Sequence, residues 1–127
     1  MPSTSKDSAS NVEQMGPMGE DRHDELGGGY RVDFMSFTQG GDMDAMLKGL
    51  PDDACQSPHW GYVLKGSVTM DVAGRNETYG AGDAFYVPPG HRPNFEAGAE
   101  IVQFSPVEDM NRTMANIMKN MEAQQRG

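Results

Sequence analysis

Alternation of apolar and polar side chains dominates the middle of the chain. It first appears over residues 30–37 (YRVDFMSF). Short β-rich runs follow, separated by turn residues, at 59–65, 67–72, 77–79, 84–87, 91–96 and 100–104. A period of two with closely spaced turns is typical of antiparallel sandwiches and barrels. The pattern therefore predicts an all-β domain over residues 30–104.

The period changes after Phe104. Ser105-Pro106-Val107-Glu108 has the form of a capping box, with Ser105 as N-cap and Pro106 as the first helical residue. One helical face then collects the large apolar side chains, namely Met110, Met114, Ile117, Met118 and Met121. We expect a helix over 105–127 whose methionine stripe packs on the β-domain or on a second subunit.

The first 29 residues follow neither period. They combine Ser, Gly, Pro and acidic residues with very few large apolar side chains. Burial in such a segment offsets little of the entropy lost on ordering, so we expect a disordered acidic tail over 1–29. The predicted organisation is this tail, a β-domain over 30–104 and a helix over 105–127.

Composition restricts the partners and the compartment. The net charge is −9 and no segment carries a basic patch, so binding to nucleic acid or to a membrane is not expected. Cys55 is the single cysteine, which excludes an intrachain disulfide. The sequence has neither a signal-peptide pattern nor an apolar run of roughly 20 residues, so we expect a cytoplasmic protein.

Two glycine-marked segments resemble the conserved motifs of the cupin superfamily. They are residues 55–66 (CQSPHWGYVLKG) and 82–93 (GDAFYVPPGHRP). The resemblance implies an all-β fold, a cupin-type antiparallel β-barrel (jelly-roll-like), here followed by a C-terminal α-helix. It also implies a divalent metal ion in the barrel, Zn or Fe among the candidates.

The metal-ligand pattern of the family is altered in this chain. Metal-binding cupins usually carry His-x-His before a glutamate, and a further histidine after the second motif. Alignment on Gly66 puts Asp53 and Cys55 at the two histidine positions and His59 at the glutamate. His91 lies two residues before the position of the last family histidine, with the same strand parity.

The residues themselves support the same cluster. In an extended segment, the side chains of Asp53, Cys55 and His59 project to one side. A thiolate, imidazoles and a carboxylate form a set that suits Zn²⁺, Fe²⁺ or another divalent ion. Simpler roles remain open: His59 as a structural histidine, His91 in an exposed loop, Cys55 as a buried apolar residue and Asp53 as a turn residue.

Tyr62 and Tyr86 are the candidate proton donors of a catalytic site, on condition that they reach the pocket. If His59 points inward, however, strand alternation turns Tyr62 outward and leaves space for a ligand at Gly61.

Three functions fit these patterns. The first is a cupin that binds a divalent metal and a small-molecule ligand, with oxygenase, isomerase or lyase chemistry as the enzymatic form. The second is a metal-free cupin that binds or senses a small molecule. The third is a structural dimerisation module that uses the methionine-rich helix. A homodimer is expected in any case, because a barrel of roughly 75 residues is small and has strand edges to cover.

Overall fold

Ten strands and two α-helices make up the computed structural model, which describes residues 3–126. The strands are β1 (Asn11–Gln14), β2 (Glu20–Gly27), β3 (Tyr30–Phe37), β4 (Gly41–Asp42), β5 (His59–Lys65), β6 (Ser67–Val72), β7 (Arg75–Gly80), β8 (Ala84–Val87), β9 (His91–Phe95) and β10 (Ala99–Pro106). The helices are α1 (Asp44–Leu47) and α2 (Val107–Arg126), with 3-10 turns at Gly16–Met18 and Pro51–Asp53. Where a strand was predicted, its observed ends differ by at most two residues.

The strands form two antiparallel sheets with a shared core. The larger has the order β1-β2-β3-β10-β5-β8, and the smaller has the order β4-β9-β6-β7. The strand register brings the same set of side chains to the inward face of the larger sheet. Ile101 pairs with both Met35 and Val63, and all three side chains are buried. Phe37 and Phe95 stack at 3.6 Å between ring centroids and join the two sheets. The predicted antiparallel β-fold with a C-terminal helix is confirmed.

The expected disordered tail over 1–29 needs correction. Residues 11–14 and 20–27 form strands that extend the larger sheet from the edge of β3. Met15 and Met18 lie in the connection between these two strands, and both side chains are buried. Their burial anchors the segment to the hydrophobic core. Composition alone missed this because the pairing uses backbone hydrogen bonds and buried polar contacts rather than aliphatic burial. Residues 1 and 2 lie outside the described residues.

The helix begins at Val107, two residues after the start of the predicted segment and one after Pro106, the predicted first helical residue. Ser105 and Pro106 end β10, and Ser105 pairs with Arg31 in the ladder with β3. The Ser105 hydroxyl is thereby turned into the core and does not cap α2. Glu108 and Asp109 lie in the first turn of the helix, where carboxylates interact favourably with the positive end of the helix dipole. Gly127 lies outside the described residues.

The methionine stripe of α2 packs on the barrel, the first of its two predicted alternatives. Met110, Met114 and Ile117 are each at most 2% exposed. The amides of Asn116 and Asn120 both donate hydrogen bonds to the carbonyls of Met46 and Lys48, at 2.7–3.1 Å, and so tether α2 to the end of α1. No helix within residues 3–126 has the length and apolar character needed to cross a membrane.

Candidate metal centre

Three of the predicted metal ligands meet between the two sheets. His59 is the first residue of β5 in the larger sheet, and His91 is the first residue of β9 in the smaller one. Cys55 lies beside His91 because its N–H donates to the His91 carbonyl at 2.9 Å, and its carbonyl accepts from the Gly90 N–H at 2.7 Å. All three side chains are buried, with at most 4% exposure.

The donor atoms of these residues are close enough to share one ion. The Cys55 Sγ and His59 Nε2 atoms lie 3.6 Å apart, and every pair of donor atoms falls within 4.8 Å. The two imidazoles meet edge to face, with ring centroids 4.8 Å apart. Two ligands of a tetrahedral Zn²⁺ ion, one sulfur and one nitrogen, would lie roughly 3.5 Å apart given usual bond lengths. The side chains therefore fit a metal ion.

Hydrogen bonds fix the tautomer of His91 and the orientation of the His59 ring. His91 Nδ1 lies 2.8 Å from the Pro88 carbonyl, which only accepts, so Nδ1 carries the proton. In the neutral ring, Nε2 then has the lone pair that a metal requires. His59 Nδ1 lies 2.7 Å from Ser105 Oγ, and its Nε2 faces Cys55. A hydrogen bond at Nδ1 therefore holds each of the two rings in place.

Burial keeps the three groups uncharged. It lowers the pKa of His59 well below its usual range, with further lowering from His91 and Arg31. It also lowers the pKa of His91 and raises the pKa of the Cys55 thiol. Neutral imidazoles are the form that binds a metal, whereas the thiol must first lose its proton. An ion in this place would supply the charge that stabilises the thiolate.

The cavity around the cluster is small and mostly apolar. Its volume is about 30 Å³, which holds one or two water molecules and no ordinary organic ligand. Helix α2 forms one wall through Met110, Thr113, Met114 and Ile117. The remaining wall side chains come from the strands and from the segment around α1, and they include Met35, Met43, Leu47, Met70, Phe95 and Gln103.

Asp53, the fourth predicted ligand, is not in this cluster. Its exposed carboxylate accepts a hydrogen bond from the Gly49 N–H at 3.0 Å. The prediction assumed an extended chain from Asp53 to His59, but residues 51–53 form a 3-10 turn and extended backbone begins at Ala54. The argument from strand alternation therefore applies only from Cys55 onward. Asp53 is a turn residue, which was the simpler of the two roles predicted for it.

The two predicted proton donors also lie elsewhere. Tyr62 and Tyr86 are 43% and 49% exposed on the outer face of the larger sheet, opposite the cavity. The space predicted at Gly61 is filled, because a Cβ placed there would lie 2.4 Å from Phe85 Cζ. Phe85 therefore occupies the room that a ligand would have needed.

Ser105 and Thr113 are site residues that the sequence did not reveal. Ser105 holds His59, and Thr113 Oγ1 lies 3.8 Å from Cys55 Sγ. Strand parity offered a signal for Ser105, since it continues the alternation of Ile101 and Gln103. A polar residue within the methionine stripe was the corresponding signal for Thr113.

Comparisons with known proteins agree with this fold. The family model for the cupin domain matches residues 55–101. An RmlC-like cupin from Shewanella frigidimarina is 19% identical, with 81% of this chain and 88% of that chain covered and a TM-score of 0.58. KdgF from Halomonas sp. is 19% identical, with 76% and 86% covered and a TM-score of 0.56.

A third similar structure is larger than this chain. It is the oxalate decarboxylase of Bacillus subtilis, whose Mn(II) centres have been studied; it is 23% identical, with 76% of this chain and 28% of that chain covered and a TM-score of 0.55. No curated protein gives a significant match to the sequence. The family model thus identifies a cupin domain over residues 55–101, and the likeness to these structures shows that the two antiparallel sheets have the cupin fold.

Proposed function

We propose that this cupin binds one divalent metal ion, of the Zn²⁺ or Fe²⁺ class, through Cys55, His59 and His91. The observation that carries the proposal is the convergence of a thiol and two neutral imidazoles on one buried cavity, with all donor atoms within 4.8 Å. Three protein ligands leave one coordination position free, which is the usual composition of a catalytic metal site. A bound ion would act as a Lewis acid toward an oxygen atom in the cavity.

The surrounding residues prepare this site before any ion arrives. The Pro88 carbonyl fixes the tautomer of His91, and Ser105 holds the ring of His59 in place. Such second contacts orient the ligands and raise affinity. Helix α2 keeps bulk water out of the cavity, which strengthens the attraction between an ion and the Cys55 thiolate.

The size of the cavity limits the exchangeable ligand. About 30 Å³ admits a molecule the size of water or dioxygen. An organic substrate requires displacement of α2, since Met110 and Met114 form the wall on that side. We infer that metal binding is the basic property, and that oxygenase, isomerase or lyase chemistry would depend on opening at this helix. The Mn(II) centres of the similar oxalate decarboxylase are in keeping with a metal in this fold.

Titration with Co²⁺ tests the metal site, because a thiolate ligand gives a charge-transfer band in the near ultraviolet. We expect this band to saturate at one equivalent in the wild-type protein and to vanish in Cys55→Ser. His91→Ala should weaken binding strongly, since a neutral ligand is lost. Asp53→Asn is the matched control and should change nothing, because its carboxylate lies outside the cluster.

Two outcomes would contradict the proposal. One is the absence of the band in wild-type protein that is demonstrably folded; the other is unchanged binding in His91→Ala. Affinity for a small ligand that survives complete removal of metal by EDTA would favour the metal-free binding protein instead.

We further propose that two copies of the chain associate through the outer face of the larger sheet. This outer aromatic face consists of side chains that are 40–49% exposed, namely Tyr30, Trp60, Tyr62, Leu64, Tyr86 and Phe104. Trp60 contacts both Tyr86 and Tyr30, with ring centroids 5.1 and 5.9 Å apart. Aromatic side chains are enriched in interfaces between proteins, and a patch of this kind is unusual on a free surface.

The six side chains of the outer aromatic face are uncharged, as a contact between two identical surfaces requires. The net charge of −9 opposes self-association, so burial of this face has to outweigh that repulsion. Sedimentation equilibrium should give a dimer for the wild type and a monomer for Trp60→Ala/Tyr86→Ala. Thr69→Ala/Thr78→Ala removes a side-chain pair from the smaller sheet and should remain dimeric. A wild-type monomer at all concentrations would refute this interface.

A further inference from the structure

A second group of ligand-type side chains lies on the strands that precede β3. Glu13 on β1 pairs directly with Asp21 on β2, and His23 follows on the same inward face. Their donor atoms lie within 4.8 Å of one another. Unlike the barrel site, this group contains two carboxylates and no sulfur.

Asp21 is the residue that the protein leaves without adequate partners. It is fully buried, yet its Oδ1 atom has no hydrogen-bond partner among residues 3–126. Its carboxyl group receives a long bond, 3.3 Å, from Arg31 Nη2 at Oδ2, and it is also within hydrogen-bonding reach of the Asp33 carboxyl. A buried carboxyl oxygen with no hydrogen-bond partner destabilises the folded protein.

The guanidinium of Arg31 is already committed. Nε and Nη2 bind both oxygens of Asp33, at 2.9 and 2.6 Å, and Nη1 donates to Asn111 at 2.7 Å. One positive charge thus faces three carboxyl groups, those of Asp33, Asp21 and Glu13. With Asp21 protonated the local charge is 1 − 2 = −1, and it becomes 1 − 3 = −2 when a cation replaces that proton, so the group favours a cation in either state.

The separations suit coordination better than hydrogen bonding. His23 Nδ1 lies 3.5 Å from Glu13 Oε1 and 3.7 Å from Asp21 Oδ2, and it too lacks a hydrogen-bond partner in the described part of the chain. Hydrogen bonds of this type measure about 2.7–3.2 Å. Oxygen and nitrogen ligands of one tetrahedral Zn²⁺ ion lie roughly 3.4 Å apart. The Glu13 and His23 side chains are 27% and 13% exposed, so an ion can enter from solvent.

We propose that Glu13, Asp21 and His23 form a second divalent-cation site, of the Zn²⁺ class, that fastens β1 onto β2. The site is independent of the barrel cluster. It gives the apolar-poor N-terminal strands a source of stability other than burial, since an ion that binds only the folded form adds its binding free energy to folding.

The test uses the full chain with the barrel ligands removed. Cys55→Ser/His91→Ala protein is titrated with Co²⁺, and we expect one equivalent to bind without a charge-transfer band. Adding Glu13→Gln and His23→Asn should abolish that equivalent, because both replaced side chains are ligands and are exposed enough for the fold to persist. Glu20→Gln is the matched control on β2 and should retain it, since Glu20 pairs with Arg22 instead.

Hydrogen exchange gives a second reading of the same site. With free Zn²⁺ at ten times the dissociation constant, exchange of the β1 and β2 amides should slow by about tenfold, and Glu13→Gln/His23→Asn should remove this effect. Unchanged exchange with Zn²⁺, or no Co²⁺ bound by Cys55→Ser/His91→Ala, would overturn the inference and leave the barrel site standing. If the wild type binds a single equivalent that only Glu13→Gln/His23→Asn removes, the barrel proposal fails and this one holds.

Discussion

The Ser105 hydroxyl lies 2.7 Å from Nδ1 of His59. This contact joins the end of β10 to the first residue of β5. Both side chains are buried, at 0% and 3% exposure. Since Nδ1 is engaged in this bond, Nε2 is left to face Cys55. One hydroxyl therefore sets the orientation of a candidate ligand.

Replacement of Ser105 by alanine should affect stability and metal binding together. A buried hydrogen bond contributes about 1 kcal/mol to folding, and more is lost if His59 Nδ1 has no substitute partner. Loss of a contact that orients a ligand typically lowers metal affinity by about 10- to 100-fold. Urea unfolding without metal and Co²⁺ titration measure the two effects.

Ser36→Ala is the control for this experiment. Ser36 Oγ is also buried but has no hydrogen-bond partner within the described residues. Its removal should leave the free energy of unfolding unchanged or slightly higher, with metal affinity unaffected. Equal losses in both variants would show that the bond to His59 has no special role.

Gly61→Ala should destabilise the barrel by about 1–3 kcal/mol, because overpacking forces neighbours to shift. The new Cβ would lie 2.4 Å from Phe85 Cζ and 2.9 Å from the Val102 carbonyl oxygen. Gly80→Ala on β7 is the control, since the nearest atom there is 4.0 Å away. Thermal unfolding distinguishes them, and equal melting temperatures would contradict the close packing at Gly61.

Local patterns predicted the barrel well because each strand carries its own period and its own turn residues. Cys55, His59 and His91 followed from the two motifs and from strand parity, and the structure brings their donor atoms together. Asp53 did not follow, since one 3-10 turn ended the extended geometry on which the parity argument depended.

Other features depended on partners distant in sequence. Ser105 has the sequence of a helix cap, but pairing with β3 drew it into β10 and gave its hydroxyl to His59. The N-terminal strands looked like a tail because their stability comes from pairing with β3 and from the contact between Asp21 and Arg31. Composition does not report such contacts.

Reactivity of the Cys55 thiol should report how tightly α2 closes the cavity. Burial raises the pKa of this thiol, so reaction with a disulfide reagent requires local opening. Asn116→Ala/Asn120→Ala removes the side-chain hydrogen bonds that tether α2 to the carbonyls of Met46 and Lys48 at the end of α1. Loss of about 1–2 kcal/mol of closing free energy should speed labelling by roughly 5- to 30-fold.

Lys119→Ala on the same helix provides the comparison, because this side chain is exposed. It should label at the wild-type rate. Equal rates in all three proteins would mean that Cys55 reacts by a route that does not involve α2.

Above about pH 7, where the histidines are neutral in both the folded and the unfolded chain, stability without metal should fall as the pH rises because of Asp21. Burial, reinforced by the neighbouring Asp33, raises the pKa of Asp21 from 3.8 to about 10. The unfolded chain therefore releases this proton above about pH 4, while the folded chain keeps it until about pH 10. Between these values Asp21 takes up a proton on folding, so its contribution to the free energy of unfolding decreases with pH, by at most about 1.4 kcal/mol per unit.

Asp21→Asn removes this proton, so urea unfolding in EDTA should show that the variant gains stability relative to the wild type from about pH 6 to about pH 9. Asp24→Asn is the control. A hydrogen bond from Thr4 lowers the pKa of Asp24, so that carboxylate is ionised in both states over this range and its replacement shifts stability by a constant amount. A constant difference for Asp21→Asn as well would show that the buried carboxyl is ionised in the folded protein. Arg31 would then be a sufficient partner for both Asp21 and Asp33.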